Sequence, residues 1–464
     1  MTRAHGRARV AGAAAILLVM GLVTACSSND AASEPSPVSS AASSAPAQAP
    51  QPVPASDVAL KLPQDMYLHE GAPTEWWWHT GTLRAGDRTF GFEINAAGFD
   101  KDDLAFTQIM LTDVASQRHY KRTTLYSPGQ FSPTSWAQSD ASKDWYARLG
   151  DAKNQLGGVQ LTAPGTGYTT APKVAITGDG TGAKAVATLG SDGQVAAVSL
   201  LSAGKGYTTP PKVTITGDGT GAKAVAFPTY VAMSAPAADP TKDMHVKALL
   251  SDDPSLTPVS FDLTMSQEGR PFYVWGTGAN PMVKSASLEE NNYYFSLTRM
   301  HAKGTITIDG EAIPVEGITW MDHEYGEFGT SANPVKWILQ DMQLDNGFSI
   351  SNVGILTGGL QPALDTPMQG YATLESADGS TYLVASSVTP FGTTWKSDAS
   401  GTTYFTKLRV QIPSFGADIV VSSLMDAQEF PASNGGSVYE GVAKAEGRFQ
   451  DADVTGTAWI EQAS

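Results

Sequence analysis

From about residue 57 onward the chain is written in short runs that alternate apolar and polar positions. Thr89 to Asn95, Phe106 to Leu111, Val259 to Met265, Tyr293 to Thr298, Gly304 to Ile308, Trp337 to Leu344, Phe348 to Leu356 and Leu408 to Ile412 all show partial period-two patterning. That spacing puts successive side chains on opposite faces of a strand. Turn signals such as Asp309-Gly310 and Asp345-Asn346-Gly347 separate several of the runs. No amphipathic stretch of helical period longer than about ten residues stands out. The pattern predicts an all-β chain of antiparallel barrels or sandwiches.

An internal repeat interrupts this body. Gly167 to Ala187 and Gly206 to Ala226 are 39 residues apart and agree at 19 of 21 positions. Each copy predicts short strands (Lys173 to Thr177 and Ala183 to Thr188 in the first) joined by a Gly-Asp-Gly-Thr-Gly turn, and Gln194 to Leu200 alternates like a strand between the copies. Each copy supplies one Asp, where a calcium site takes six to eight oxygens, so the unit reads as a plain β insert. It resembles Gly-Tyr-Thr-x-Pro-Pro repeats of phage and surface proteins, a likeness that carries no activity. Its Gly- and Pro/Ala-rich edges place the insert at 157–235, within a surface loop. Without it roughly 330 residues remain, enough for two barrels of about 150 to 180 residues each.

Composition narrows the function. With 30 basic against 46 acidic residues the formal charge is −16, which argues against a nucleic-acid partner. A single cysteine excludes a disulfide framework and a cysteine zinc site. The HExxH, GxSxG and Walker patterns are missing from the sequence. At the N-terminus Arg3, Arg7 and Arg9 precede an apolar run from Val10 to Leu22, too short to span a bilayer, which reads as a signal peptide over 1–25. Val23-Thr24-Ala25-Cys26 fits a lipobox, so cleavage before Cys26 and acylation of that residue are expected to anchor an exported bacterial lipoprotein in the cell envelope. Ser27 favours the outer membrane where there is one. Residues 26–56, rich in Ala, Ser and Pro, read as a tether. The remainder divides into barrels at 57–300 and 301–464.

Two motifs carry chemistry. In Glu75-Trp76-Trp77-Trp78-His79-Thr80-Gly81, alternation gives Trp76 and Trp78 one face and Glu75, Trp77 and His79 the other. A carboxylate among tryptophans must be paired, or protonated with a raised pKa. In Gly317 to Gly326, Trp320, Asp322 and Glu324 share one face and Met321, His323 and Tyr325 the other. Two carboxylates one strand repeat apart beside an indole perturb each other, which leaves one protonated near neutral pH. A metal held by Asp322, His323 and Glu324 is disfavoured because consecutive residues diverge around a strand. No metal or cofactor is expected.

These motifs, with Leu111-Thr112-Asp113, Tyr293-Tyr294-Phe295-Ser296-Leu297-Thr298-Arg299 and Val315-Glu316-Gly317, occur in an order that resembles the AttH-like family. That family includes the carotenoid 1,2-hydratases (hydroxyneurosporene synthases) and is related to kievitone hydratase and fungal Diels–Alderases. The resemblance covers about 60–150 and 243–464. It implies two lipocalin-like β-barrels, the repeat being inserted in the first. It also implies a role for Asp322, which matches the acid thought to protonate an isoprenoid double bond in the hydratases. This chain departs from the hydratases in carrying Trp320 where they have Tyr and Tyr293 where they have His. His323-Glu324 is typical of the broader group.

Two functions therefore stand. One is a lipid-anchored protein that binds a hydrophobic isoprenoid or acyl molecule through Glu75, Trp76, Trp78, His79 and His323. The other is a hydratase or lyase with Asp322 as proton donor and Trp320, Glu324 and Tyr293 around it.

Overall fold

The computed structural model describes residues 49–99, 104–126, 136–150, 154–328, 337–355, 362–431 and 437–463. The leader, Cys26, the tether up to residue 48 and Leu356 lie outside the described residues. No α-helix occurs among those described. Strands β1 to β5 (Thr74–Ala85, Arg88–Phe99, Leu104–Asp113, Arg118–Tyr126, Trp145–Leu149) begin a first barrel. Strands β6 to β11 (Leu156–Thr166, Lys173–Thr177, Thr181–Leu189, Val195–Lys205, Lys212–Thr216, Thr220–Pro228) form the repeat module. Strands β12 to β17 (Tyr230–Ala235, Met244–Ser251, Pro258–Gln267, Phe272–Tyr273, Asn292–Ile308, Glu311–Gly326) complete the first barrel. The second uses β18 to β21 (Trp337–Leu344, Ser349–Ile355, Met368–Glu375, Thr381–Pro390) and the short pair β22 and β23 (Thr394–Lys396, Thr403–Phe405). It ends with β24 to β28 (Lys407–Ile412, Ala417–Ser423, Glu429–Pro431, Ser437–Phe449, Ala452–Ala463).

The first sheet runs β4-β3-β2-β1-β17-β16-β14-β13-β12-β5 and curls into a nearly closed antiparallel barrel. The second runs β25-β24-β21-β20-β19-β18-β28-β27 and closes through a β25–β27 pairing. Two lipocalin-like barrels are thus present, as the strand pattern and the resemblance predict. Alternation fills each lumen with side chains. Trp77, Phe92, Ile94, Ile109, Phe261 and Met321 pack inside the first, and Met342, Ile350, Leu374, Val410, Ile419 and Ile460 inside the second.

Three expected boundaries shift. Strand β16 runs across 300/301, and β17 closes onto β1, so the first barrel extends to Gly326. A hairpin cannot be cut at its own strand, and the Asp309-Gly310 turn joins two strands of one barrel. The insert spans Leu156–Pro228 rather than 157–235, because Tyr230–Ala235 pairs with β5 and β13 as a barrel strand. The tether ends before residue 56: the Val53 amide donates to Thr381 O at 2.7 Å and the Ala59 amide to Thr277 O at 2.8 Å.

Within the module the two copies pair with each other and with the strands around them, as β7–β10, β6–β11 and β8–β9. The Asp of each copy caps the other: Asp218 accepts the Thr169 amide at 3.1 Å and Asp179 the Thr208 amide at 3.0 Å, and each also accepts that threonine's hydroxyl. The Gly-Asp-Gly turns are therefore occupied in holding the module together.

The barrels meet where the outer faces of β1, β2, β16 and β17 cover β18, β27 and β28, and Trp275 adds bonds to β20, its amide donating to Thr373 Oγ1 at 3.1 Å and its Nε1 to the Tyr371 hydroxyl at 3.0 Å. Gln343 Nε2 donates across this seam to Thr298 O at 2.5 Å and Thr319 O at 3.0 Å. Gly91 is needed here, because a Cβ at that position would lie 2.4 Å from Cβ of Val442 in the second barrel.

Candidate functional site

The two motifs read separately from sequence are antiparallel neighbours. Strand β1 pairs with β17 so that Trp76 stands opposite Glu324, Trp77 opposite His323, Trp78 opposite Asp322 and Thr80 opposite Trp320. Strand β16 flanks β17 on its other side, with Tyr293 opposite Tyr325, Tyr294 opposite Glu324 and Ser296 opposite Asp322. Because each pair shares a face, the nine candidate residues divide between two surfaces. Trp76, Trp78, Trp320, Asp322 and Glu324 lie on the outer face of the barrel, with Trp320 and Asp322 at the seam and Trp76 packed against Phe328. Glu75, His79, His323 and Tyr293 belong to the opposite, lumen-side face. Tyr293 therefore does not surround Asp322; it stacks on Tyr325, with ring centroids 5.2 Å apart, and its neighbour Tyr294 takes the seam position.

At the seam, Asp322 Oδ1 accepts from Ser296 Oγ at 2.5 Å and from Trp320 Nε1 at 2.7 Å. The Trp-x-Asp spacing makes the second bond possible, since residues two apart share a face. Burial pushes the Asp322 carboxyl up to about 6, against hydrogen bonds from Ser296, Trp320 and Tyr294 that favour its ionised form. Glu324 accepts from Asn292 Nδ2 at 2.6 Å and is raised by burial, with the Asp322 and Glu461 carboxylates nearby. Trp320 packs edge-on against Phe272 at 5.6 Å, and Trp76 lies 4.1 Å from Phe328.

Sequence reading missed four further carboxyls that converge here. Glu93 comes from β2, Asp341 from β18, Glu440 from β27 and Glu461 from β28. Burial raises all four, and Glu461 reaches about 7. Trp337 Nε1 donates to Glu461 at 2.8 Å and Trp459 Nε1 to Glu440 at 2.7 Å. Glu93 is the one acid of its strand, between Phe92 and Ile94, and Glu461 follows Ile460, which is the signal the sequence offers; Asp341 lies between Gln340 and Met342, and Glu440 shares β27 with Glu446, so neither stands out. Among the described residues no lysine, arginine or histidine forms an ion pair with any of the six acids. The group therefore shares protons rather than carrying six charges. A narrow cleft with about 10 Å³ of enclosed room is lined by Thr80, Thr82, Trp320, Asp341, Gln343 and Trp459.

On the opposite face, Glu75 Oε2 accepts the His69 amide at 2.9 Å, and Glu75 Oε1 lies 2.9 Å from His69 Nδ1 and 3.4 Å from His323 Nε2. His79 is enclosed in the barrel, and burial lowers it to about 3, so it stays neutral. His323 joins residues of other segments instead of its sequence neighbours Asp322 and Glu324.

Fold and site together define a double lipocalin-like barrel with an acid-and-indole seam. The AttH-like family model matches residues 212–463, more than half of the chain, and the chain belongs to that family. The match includes the Trp320-x-Asp322 strand and the second barrel and begins within the second repeat copy. Among solved structures, the candidate AttH protein of Nitrosomonas europaea is 17% identical with a TM-score of 0.54, over 89% of this chain and 98% of its own. Kievitone hydratase from Nectria haematococca is 14% identical with a TM-score of 0.52, over 89% of this chain and 97% of its own. These likenesses are of fold. No curated protein matches the chain in sequence.

Proposed function

We propose that the protein binds a hydrophobic small molecule of isoprenoid or acyl type at the seam between its barrels, held at the bacterial cell envelope by a lipid on Cys26. The observation that carries the binding reading is a row of indoles. Trp76, Trp78 and Trp320 share the outer face of β1 and β17, and Trp320 lines the cleft. The enclosed room in the cleft is about 10 Å³, roughly the space of one water molecule, so an apolar chain would enter only as the side chains of the seam part. The surrounding acids disfavour an anionic headgroup, so a carboxylate-bearing ligand would enter by its tail.

One observation favours chemistry as a second reading. Asp322 combines a carboxyl held at about 6 with an indole neighbour that lines the cleft. A carboxylic acid with that midpoint can donate its proton to a carbon–carbon double bond and leave a tertiary carbocation. Trp320 would stabilise the cation through its ring face. Water then adds to the cation and returns a proton to the carboxylate group, so the net reaction is hydration of an alkene. The fold shared with kievitone hydratase is consistent with such a reaction and names no substrate for this chain.

The test is native mass spectrometry and lipid extraction of Cys26→Ser protein purified from its own host. An apolar molecule is expected to co-purify, and Trp320→Ala to reduce its occupancy. A product heavier by one water that forms with Asp322 and not with Asp322→Asn establishes the hydratase. A ligand that stays unchanged establishes carriage. A wild-type protein that holds no apolar molecule and takes none up from a lipid extract overturns the proposal.

A further inference from the structure

The opposite face of the same strands holds a second constellation, independent of the seam. His69 lies in the segment before β1, Glu75 on β1 and His323 on β17, and their ligand atoms all lie within 4.8 Å of one another. The hydrogen-bond chemistry of His323 is the informative part. Its Nδ1 is 2.8 Å from the Trp76 carbonyl oxygen. A carbonyl can only accept, so Nδ1 carries the proton and Nε2 presents a lone pair. That lone pair faces Glu75 Oε1 at 3.4 Å, and Nε2 has no hydrogen-bond partner among the described residues although the ring is fully buried. The ring is fixed in place by stacking on Trp77 at 4.5 Å and 8°. Two electron-pair donors turned toward each other in a buried place call for a positive centre between them.

His69 completes the set. Its Nδ1 is turned to Glu75 Oε1, its Nε2 lies 3.3 Å from Asp65 Oδ1, and its ring stacks on Tyr325 at 3.6 Å and 8°. Each imidazole thus has one nitrogen aimed at the shared carboxylate and the other anchored by a carbonyl or a carboxylate. Proteins use this outer support to orient histidines that ligate a metal. An ion pair between a His69 imidazolium and Glu75 would account for His69. It would leave the His323 lone pair facing a carboxylate oxygen.

We propose that His69, Glu75 and His323 form a mononuclear site for a divalent transition metal of the zinc class. Its ligands are Nδ1 of His69, a carboxylate oxygen of Glu75 and Nε2 of His323. Two imidazoles and one carboxylate are a donor set suited to zinc, and three protein ligands leave a fourth position for water or another small ligand. The His69 side chain is 16% exposed, which gives the metal a way in. The site ties the segment before β1 to β1 and β17, and it stands or falls separately from the seam.

The test uses the full chain with Cys26→Ser and no polyhistidine tag, stripped with a chelator and titrated with Zn²⁺ by calorimetry and with Co²⁺ by visible absorption. One equivalent is expected to bind, with the intense d–d bands of a low-coordinate Co²⁺ site. His69→Gln, at the partly exposed ligand, should keep the far-ultraviolet circular dichroism of the parent and lose about a hundredfold or more in affinity. Asp65→Asn should cost about 10–100-fold, as removal of a supporting carboxylate does. Asp322→Asn, on the other face, should bind Zn²⁺ like the parent. Absence of a stoichiometric site in the parent overturns the proposal, as does folded His69→Gln that binds Zn²⁺ unchanged.

Discussion

A single carboxyl, that of Asp322, decides between carriage and chemistry, and its environment is mixed. Burial favours the neutral acid, while the Ser296 hydroxyl, the Trp320 indole and Tyr294 favour the carboxylate, and the balance leaves it at about 6. A hydrogen bond to a charged group contributes roughly 1.5–3 kcal/mol, and 1.36 kcal/mol corresponds to one pH unit of midpoint. Ser296→Ala is therefore expected to move the Asp322 midpoint to roughly 7 or above, read by carbon-13 NMR of the labelled side-chain carboxyls with Asp322→Asn to assign the signal. A wild-type midpoint in the ordinary aspartate range would show that the acid is solvated and would remove the ground for proton donation. At this scale the sequence was partly legible. Period-two alternation places Trp320, Asp322 and Glu324 together correctly. The same rule misleads at Tyr293, because alternation within one strand does not say which residue of the neighbouring strand shares its face, and a one-residue difference in register exchanges Tyr293 for Tyr294.

At the scale of elements, the short alternating runs and their turns mark strands that the structure contains, and Lys173–Thr177 and Trp337–Leu344 match to the residue. Pairing was not legible. Nothing in two nearly identical repeats says that β7 pairs with β10 in the other copy rather than folding back on β8. The choice is made in three dimensions, where Tyr168 and Tyr207 are buried in separate small cores. These cores suggest that the module is folded for itself, and its ends support this. Gly158 is the register partner of Phe227, and Leu149 of Val231. Replacing residues 159–226 by Asn-Gly closes that pair with a two-residue hairpin. It leaves Phe227 under the Arg122 guanidinium, 4.0 Å from the ring centroid. The shortened chain is expected to keep a cooperative unfolding transition within a few degrees of the parent and the same Zn²⁺ stoichiometry. Loss of the transition would mean that the module is part of the first barrel's core.

For the whole molecule the seam sets how stability depends on pH. Six acids from two barrels meet there, a juxtaposition that follows only from docking and that no single strand announces. A carboxyl raised on folding binds its proton more tightly in the native state. Its stabilisation is complete below the unfolded midpoint of about 4 and is lost as pH rises through the folded one, about 6 for Asp322 and about 7 for Glu461. His69, raised to about 9 by Glu75 and Asp65 against its burial, acts in the same sense between about 6.5 and 9. His79 and His119, lowered to about 3 by burial, act in the opposite sense, but their contribution is complete once pH passes about 6.5. Below that value the two groups of residues oppose each other. Above it, of these shifts only the destabilising ones remain. The melting temperature of the metal-free protein is therefore expected to fall from pH 6.5 to 8. The loss amounts to a few kcal/mol at most, because the acids are coupled and Glu461 is partly accessible. Glu461→Gln removes a carboxyl raised to about 7 and relieves its neighbours. It should flatten that fall without lowering the melting temperature at pH 6 by more than a cavity-free substitution does. A melting temperature that rises from pH 6.5 to 8 in the parent would show that the six carboxyls are ionised and solvated, and the seam would then be a wet contact between barrels instead of a proton-sharing one.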